Sequence, residues 1–458
     1  MNVDISPFLS ERSRSWEPSA IRGLFPLEHI PGMISLLAGK PNPSTFPFES
    51  ITMKLKPHRP PKSCESLDGA NVNGNMVGES GDTITLDNEE LDEALQYGAT
   101  AGLKRLIEWL QRFQSEVHGR THAGEGWDIT IGCGSQDLMY KAFQVLINDG
   151  DSILVETPAY AGTLGFLTTE PCHLVEVESD SDGLDPASLD YILSSWSATH
   201  PYQRFPKLLY TIPTGSNPSG ASIPESRKIE ILKLAKRYDL LIMEDDAYAF
   251  LYYGPQGRKA RSYFSLEKEI NGEMGRVVRF DSFSKVLSSG IRLGFMTAPA
   301  AVCHAVNLIT MNTNLQAPST TQVMVHALLE HWGISGFLDH CERVADFYRV
   351  QRDIFELAAR RHLQGIAEWV TPVAGMFLYM RLLFDGHASR CDSFTLIREK
   401  AVAKGVLAVP GVAFMPSGSA TAYVRVSFSL VNEQQADEAC RRLRAVVIEA
   451  RNDIIAGR

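Results

Sequence analysis

No apolar run in these 458 residues approaches the length needed to cross a bilayer, so a membrane partner is not expected. The N-terminus lacks the apolar core of a secretory signal, and Asp4, Glu11 and Glu17 argue against a mitochondrial leader. Cysteine is scarce: seven residues, scattered and without a Cys-x-x-Cys pair, fit a reducing compartment better than a disulfide framework. Basic charge is in deficit, with 44 Lys and Arg against 54 Asp and Glu. The net charge of -10 comes with no basic tail or stripe, which argues against nucleic acid as a partner. Internal repeats are absent, and Arg343, Asp346 and Arg349 interrupt any heptad seam over 334–361. These absences make the cytoplasm the simplest address, and no metal site is expected.

What remains is ordinary globular composition, 44% hydrophobic and 21% charged, in a chain too long for one core. Residues 54–90 combine Pro57, Pro60 and Pro61 with an Asn/Gly/Ser-rich acidic stretch, a surface excursion with one short strand at 83–86. From about 95 to 315, short apolar runs alternate with amphipathic segments. Leu208–Ile212, Leu240–Met243 and Val277–Val278 read as strands buried on both faces. A helix between the first two has a capping-box spacing at Ser222 and Glu225, with Pro224 in its first turn. After about 320 come two helical stretches (318–331 and 334–361), strands near 376–381, 406–409 and 423–428, and a final helix. The predicted fold class is α/β: a large domain with a mostly parallel sheet covered by helices, plus a smaller α+β domain. The expected division is an N-terminal segment (1–50) packing with the small domain, the excursion (51–90), the large domain (91–325) and the small domain (326–458).

The most informative stretch runs from Ser282 to Gly294, just after the strand-like Val277–Phe280. It places Lys285 behind Ser282 and Ser284 and seven residues ahead of Arg292. A lysine that must bond an aldehyde needs a fixed, partly desolvated site, because its free amine is otherwise protonated at neutral pH. Two hydroxyls and a permanently charged fork are what a phosphate takes. Aldehyde and phosphate together point to pyridoxal 5'-phosphate (PLP).

Other segments extend the pattern. Glu244-Asp245-Asp246-Ala247-Tyr248 closes a buried strand, where open α/β sheets place ligands. An aspartate there can keep the pyridine nitrogen protonated, and Tyr248 can reach the phenolic oxygen of the ring. Asn217, held before Pro218 in a Gly-bounded turn, aims its amide into the same crevice. Gly132-Cys133-Gly134-Ser135-Gln136 opens a helix after a strand, a place for phosphate. It is not a dinucleotide fingerprint, for the third glycine is missing. Tyr160, after Glu156-Thr157-Pro158, can stack on a ring. Arg425 sits inside an alternating apolar strand and needs an anionic partner, either a substrate carboxylate or a structural acid.

Together these segments resemble the class I/II aminotransferases of PLP fold type I, from about residue 18 to the last helix. Pro18–Arg22, Ala94–Tyr97, Asp281–Gly290, Ala374–Leu378 and Val409–Gly411 are similar to the branch of kynurenine/2-aminoadipate and fungal aromatic aminotransferases. The resemblance implies that Lys285 bonds the cofactor and shuttles the proton, that Asp245 partners the ring nitrogen, and that Tyr248 and Asn217 hold the phenolic oxygen. It implies phosphate contacts from Ser135, Gln136, Ser282, Ser284 and Arg292, and ring stacking by Tyr160. Tyr97 would reach the phosphate of the neighbouring subunit in a homodimer with shared active sites. Arg425 would clamp the substrate carboxylate, with Asn217, Arg22 and Gly39 on the substrate side. The expected reaction moves an amino group from an aromatic L-amino acid (Trp, Phe, Tyr) to a 2-oxo acid by a ping-pong route; 2-aminoadipate or kynurenine is the alternative donor. Two departures stand out: Gly39-Lys40-Pro41 where relatives often carry Gly-Gly-Leu-Pro, and the longer 54–90 excursion. A lyase or decarboxylase of the same fold is not separated by these motifs.

Overall fold

The computed structural model describes residues 2–20, 23–24, 27, 30–37, 39–56, 81–255, 257–384 and 392–456. An antiparallel hairpin joins β1 (Ile51–Lys54) to β2 (Thr83–Leu86), so the strand expected at 83–86 is present. The intervening 57–80, most of the sequence's surface excursion, lies outside the described residues.

The apolar runs then build one sheet from β3 (Trp127–Gly132), β4 (Ser152–Thr157), β5 (His173–Asp180), β6 (Gly183–Leu184), β7 (Leu208–Thr211), β8 (Leu241–Asp245), β9 (Val277–Ser282) and β10 (Gly294–Pro299). Their order is β3-β10-β9-β8-β7-β4-β5-β6. Neighbours from β5 through β4, β7 and β8 to β9 pair in parallel, whereas β10 runs antiparallel to both β3 and β9. Side chains alternate across the sheet, so each central strand feeds two cores. Leu208, Tyr210, Met243, Val278 and Phe280 join one, and Leu209, Ile242 and Val277 join the other. That alternation also places the charged strand ends: Asp245 follows Met243 onto one face, while Glu244 and Arg279 follow Ile242 and Val277 onto the other.

A second sheet, in the order β11-β12-β14-β13, is formed by β11 (Ala367–Trp369), β12 (Phe377–Leu382), β13 (Val409–Pro410) and β14 (Tyr423–Ser427). β11 was not anticipated, being too short for a periodic signal. The strand expected at 406–409 is confined to β13, at its far end. The two helical stretches expected after 318 are present within Ser319–Leu363, separated at Gly333, whose φ of 64° and ψ of 177° are not helical.

Two further expectations change. Ser222 does not cap the helix Glu225–Arg237; Pro224 holds the N-cap position without a side-chain bond. The Ser222 hydroxyl instead accepts from the backbone N–H of Gly215 at 3.0 Å, and Glu225 pairs with Arg261. The N-terminal segment begins on the large sheet's helical layer rather than on the small domain. Ile5 and Phe8 are buried in the core behind the helix Ser135–Leu146, and Ser10 N–H donates to the Val145 carbonyl. Burial of these two apolar side chains there stabilises the packing. Among the described residues, no helix is long and apolar enough to cross a membrane.

Candidate active site

The carboxyl ends of β3, β4, β7, β8 and β9 converge on a cavity of about 330 Å³. Ser135, Gln136, Tyr160, Asn217, Asp245, Tyr248, Ser282, Ser284, Lys285, Arg292 and Arg425 all line it. Thus residues scattered over nearly 300 positions of sequence meet because the large sheet's strands end at one edge, with Arg425 brought in from β14 of the second sheet. A cleft of about 610 Å³ beside Trp369 and Tyr379 is roomier, but no lysine lines it. Tyr97 is 54% exposed and does not line the cavity of its own chain. Gly39 is exposed and also outside the lining, and Arg22 lies outside the described residues.

One end of the cavity is built for an anion. The helix Ser135–Leu146 has no side-chain cap, leaving its first N–H groups to a ligand. Ser135 is its first residue, and Gly134 holds the N-cap position at φ 99°. A β-carbon there would lie 2.9 Å from Nη2 of Arg292, so glycine is what lets the guanidinium close on the helix end. Arg292 also reaches the Ser284 hydroxyl at 3.4 Å and the Cys133 carbonyl at 3.1 Å.

At the other end Arg425, from β14, donates to Asn217 Oδ1 at 2.7 Å. Its guanidinium carbon lies 4.3 Å from the Phe377 ring centroid and 5.1 Å from that of Phe414. The Nε of Arg425 is buried with no partner, as is the Ser216 hydroxyl. A cationic donor left unpartnered between two rings is a group that can take a carboxylate.

Lys285 lies between these ends, its Nζ 5.8 Å from the Tyr248 ring centroid. Burial, then the charges of Arg292 and Arg425, depress its amine below the ordinary lysine value, against the pull of Asp245. Asp245 is buried at the end of β8, and burial pushes its carboxyl up to about 7 despite a hydrogen bond from the Tyr210 hydroxyl at 2.8 Å. Burial likewise raises the Tyr248 phenol well above its usual range. The Tyr160 hydroxyl donates to Gln136 Oε1 at 3.2 Å, and Gly162 accommodates its ring: a β-carbon there would come within 2.4 Å of it.

Sequence reasoning missed the groups that hold these residues. Arg279 is fully buried; it donates to Asp246 and Asp281 at 2.8 Å and lies 3.2 Å from Glu244. Asp246 is thereby consumed in an ion pair, and Asp245, on the opposite face, is left to the cavity. Tyr210 and Thr163 back Asp245, and Glu156 accepts from the Thr211 hydroxyl at 2.6 Å and the Ile212 N–H at 3.0 Å. The available signal was Glu156, Glu244 and Arg279, charged residues in otherwise apolar strands, since such groups survive burial only when paired.

The donor set fits PLP: an uncapped helix with serines and an arginine for the phosphate, a depressed lysine for the aldehyde, an acid for the ring nitrogen. The family model "Aminotransferase class I and II" matches residues 80–443. The chain is 50% identical over 445 residues to Aminotransferase tdiD of Emericella nidulans, spanning 97% of this chain and 96% of that one. It is 38% identical over 460 residues to the mitochondrial kynurenine/alpha-aminoadipate aminotransferase of Mus musculus, covering 98% and 100%. The crystal structure of the aromatic aminotransferase Aro9 from C. albicans superposes with a TM-score of 0.83 at 25% identity, covering 99% of each chain. The chain belongs to the class I and II aminotransferases, PLP-dependent enzymes of fold type I that exchange an amino group between amino acids and 2-oxo acids.

Proposed function

We propose that the enzyme takes its amino group from an aromatic L-amino acid, tryptophan, phenylalanine or tyrosine, and works in two half-reactions that share one site. The observation that carries this reading is the Arg425 guanidinium held between Phe377 and Phe414 with its Nε free. There a substrate α-carboxylate gains a charge-assisted pair while its side chain meets aromatic rings. The name of the Aro9 relative supports the same substrate class.

PLP, when bound, supplies an aldehyde for the amino group and a ring that withdraws electrons from the substrate α-carbon. Ser135, Gln136, Ser282, Ser284 and Arg292 hold its phosphate, Tyr160 covers its ring, and Asn217 and Tyr248 donate to its phenolic oxygen. Asp245 keeps the ring nitrogen protonated. With PLP bound, Lys285 would be the amine that meets its aldehyde. Once free, its Nζ would take the proton from the substrate α-carbon and hold it for return. Its depressed basicity keeps a share of the amine neutral for that transfer. A 2-oxo acid leaves, and a second 2-oxo acid takes up the amino group by the reverse path, which is ping-pong behaviour. In this reading the enzyme is a homodimer, and Tyr97 completes the phosphate site of the second subunit.

A second reading, 2-aminoadipate or kynurenine as donor, is favoured by the 38% identity to the mouse enzyme. The holoenzyme mixed with tryptophan and no acceptor should release a stoichiometric burst of indole-3-pyruvate and stop. A burst of 2-oxoadipate from 2-aminoadipate, with none from tryptophan, selects the second reading.

A further inference from the structure

Behind the cavity a chain of buried hydroxyls leads to Asp245. Thr163 Oγ1 donates to the Tyr210 hydroxyl at 3.0 Å, and that hydroxyl donates to Asp245 Oδ2 at 2.8 Å. Thr163, Tyr210 and Asp245 are 0%, 0% and 5% exposed, so water does not substitute for these bonds. Thr163 belongs to the helix Ala161–Leu167, whose N-cap is Tyr160. Tyr210 is the third residue of β7, which pairs in parallel with β8 and so faces Asp245 across the sheet.

We propose that Tyr210 is a positioning residue for transamination: its hydroxyl ties the carboxylate of Asp245 to the helix that carries Tyr160, so one hydrogen-bond chain sets both the ring-nitrogen partner and the ring-stacking partner. This rests on the reading of Asp245 as the acid that meets the ring nitrogen. Each hydroxyl donates toward the carboxylate, and donors in series polarise one another. The chain therefore favours the ionised form of Asp245, which is the form that pairs with a protonated ring nitrogen. Other groups around this carboxylate act as well: Asp246 and Asp281 disfavour its charge and Lys285 favours it, with the phenols of Tyr160 and Tyr248 also facing it. Tyr210 differs from them in touching it directly.

The test uses holoenzyme and three variants, Tyr210→Phe, Thr163→Val and Asp245→Asn, measuring PLP release by equilibrium dialysis and the pH titration of the cofactor's visible band. Tyr210→Phe removes one oxygen and keeps the packing. Its PLP dissociation constant should rise about fivefold near pH 7 and up to about tenfold below it, the most that one pKa unit carries, and the gap to wild type should close toward pH 9 as Asp245 ionises in both. Thr163→Val should show a smaller change in the same direction. A loss in Tyr210→Phe that is the same at every pH would assign the residue to packing and overturn the proposal, as would wild-type affinity and titration. If Asp245→Asn binds PLP and titrates as wild type does, the reading of Asp245 fails, and the proposal falls with it.

Discussion

Asp245 ends β8 and Asp246 follows it, and only the first is left to the cavity. Asp246 is bound by Arg279, while Asp245 faces the cavity with Tyr210 behind it. The choice is made by side-chain alternation along a strand, which the spacing of the acids already contains. Lys285 shows the cost of such placement. Its amine is depressed from 10.5 by burial and two arginines, so the folded apoprotein disfavours the charged form. That penalty is absent above the unfolded value of 10.5, grows as pH falls toward the depressed value, and is complete below it. Lys285→Ala should abolish turnover. The variant's apoprotein Tm, relative to wild type, should be more favourable at pH 7 than at pH 10; a pH-independent difference would mean the amine is not under strain.

At the scale of elements, the site is made by strand ends followed by short, sharply turned segments. The helix after β4 illustrates how closely one of these is fitted. Gly162 lies inside it, where alanine would normally be favoured by about 1 kcal/mol. Yet a β-carbon there would lie within 2.4 Å of the Tyr160 ring, so the ring would have to leave its place in the cavity. Gly162→Ala should leave apoprotein stability unchanged or slightly raised while weakening PLP retention and lowering kcat; stability and retention falling together would contradict this account. The motifs after β3, β4, β7, β8 and β9 were legible because each pairs a strand signal with glycine, proline or a hydroxyl at the turn. The Ser222 cap was misread because a capping box and a loop serine share one spacing. In the fold the hydroxyl is drawn to the Gly215 N–H, which packs against Ala374 and Gly375.

For the whole molecule, the main question is how the sheet that carries Lys285 is held against the sheet that carries Arg425. The helix Ser319–Leu363 runs from one to the other and changes direction at Gly333. Its φ of 64° and ψ of 177° belong to a region open essentially to glycine alone. Gly333→Ala should therefore cost on the order of 1–3 kcal/mol in chemical denaturation, from the strain of that conformation. The same change should raise KM for the amino acid more than it weakens PLP binding, because Arg425 moves with the smaller sheet and the phosphate groups do not. Unaltered stability would show that the helix straightens freely, and the break would then have no part in setting the two sheets.

The sequence by itself determined the fold class, the mostly parallel core and the cofactor, and it named residues that the fold brings into one cavity. These rest on local signals: apolar runs, turn residues and side chains whose chemistry is specific at close spacing. Only the tertiary structure decided how Arg279 and Tyr210 brace the acids at the end of β8, and where the first residues pack. It alone brought Arg425 within 2.7 Å of Asn217, more than two hundred positions away. The physical reason is that a buried charge or hydroxyl takes its partner from another strand, across a sheet whose register no single segment specifies.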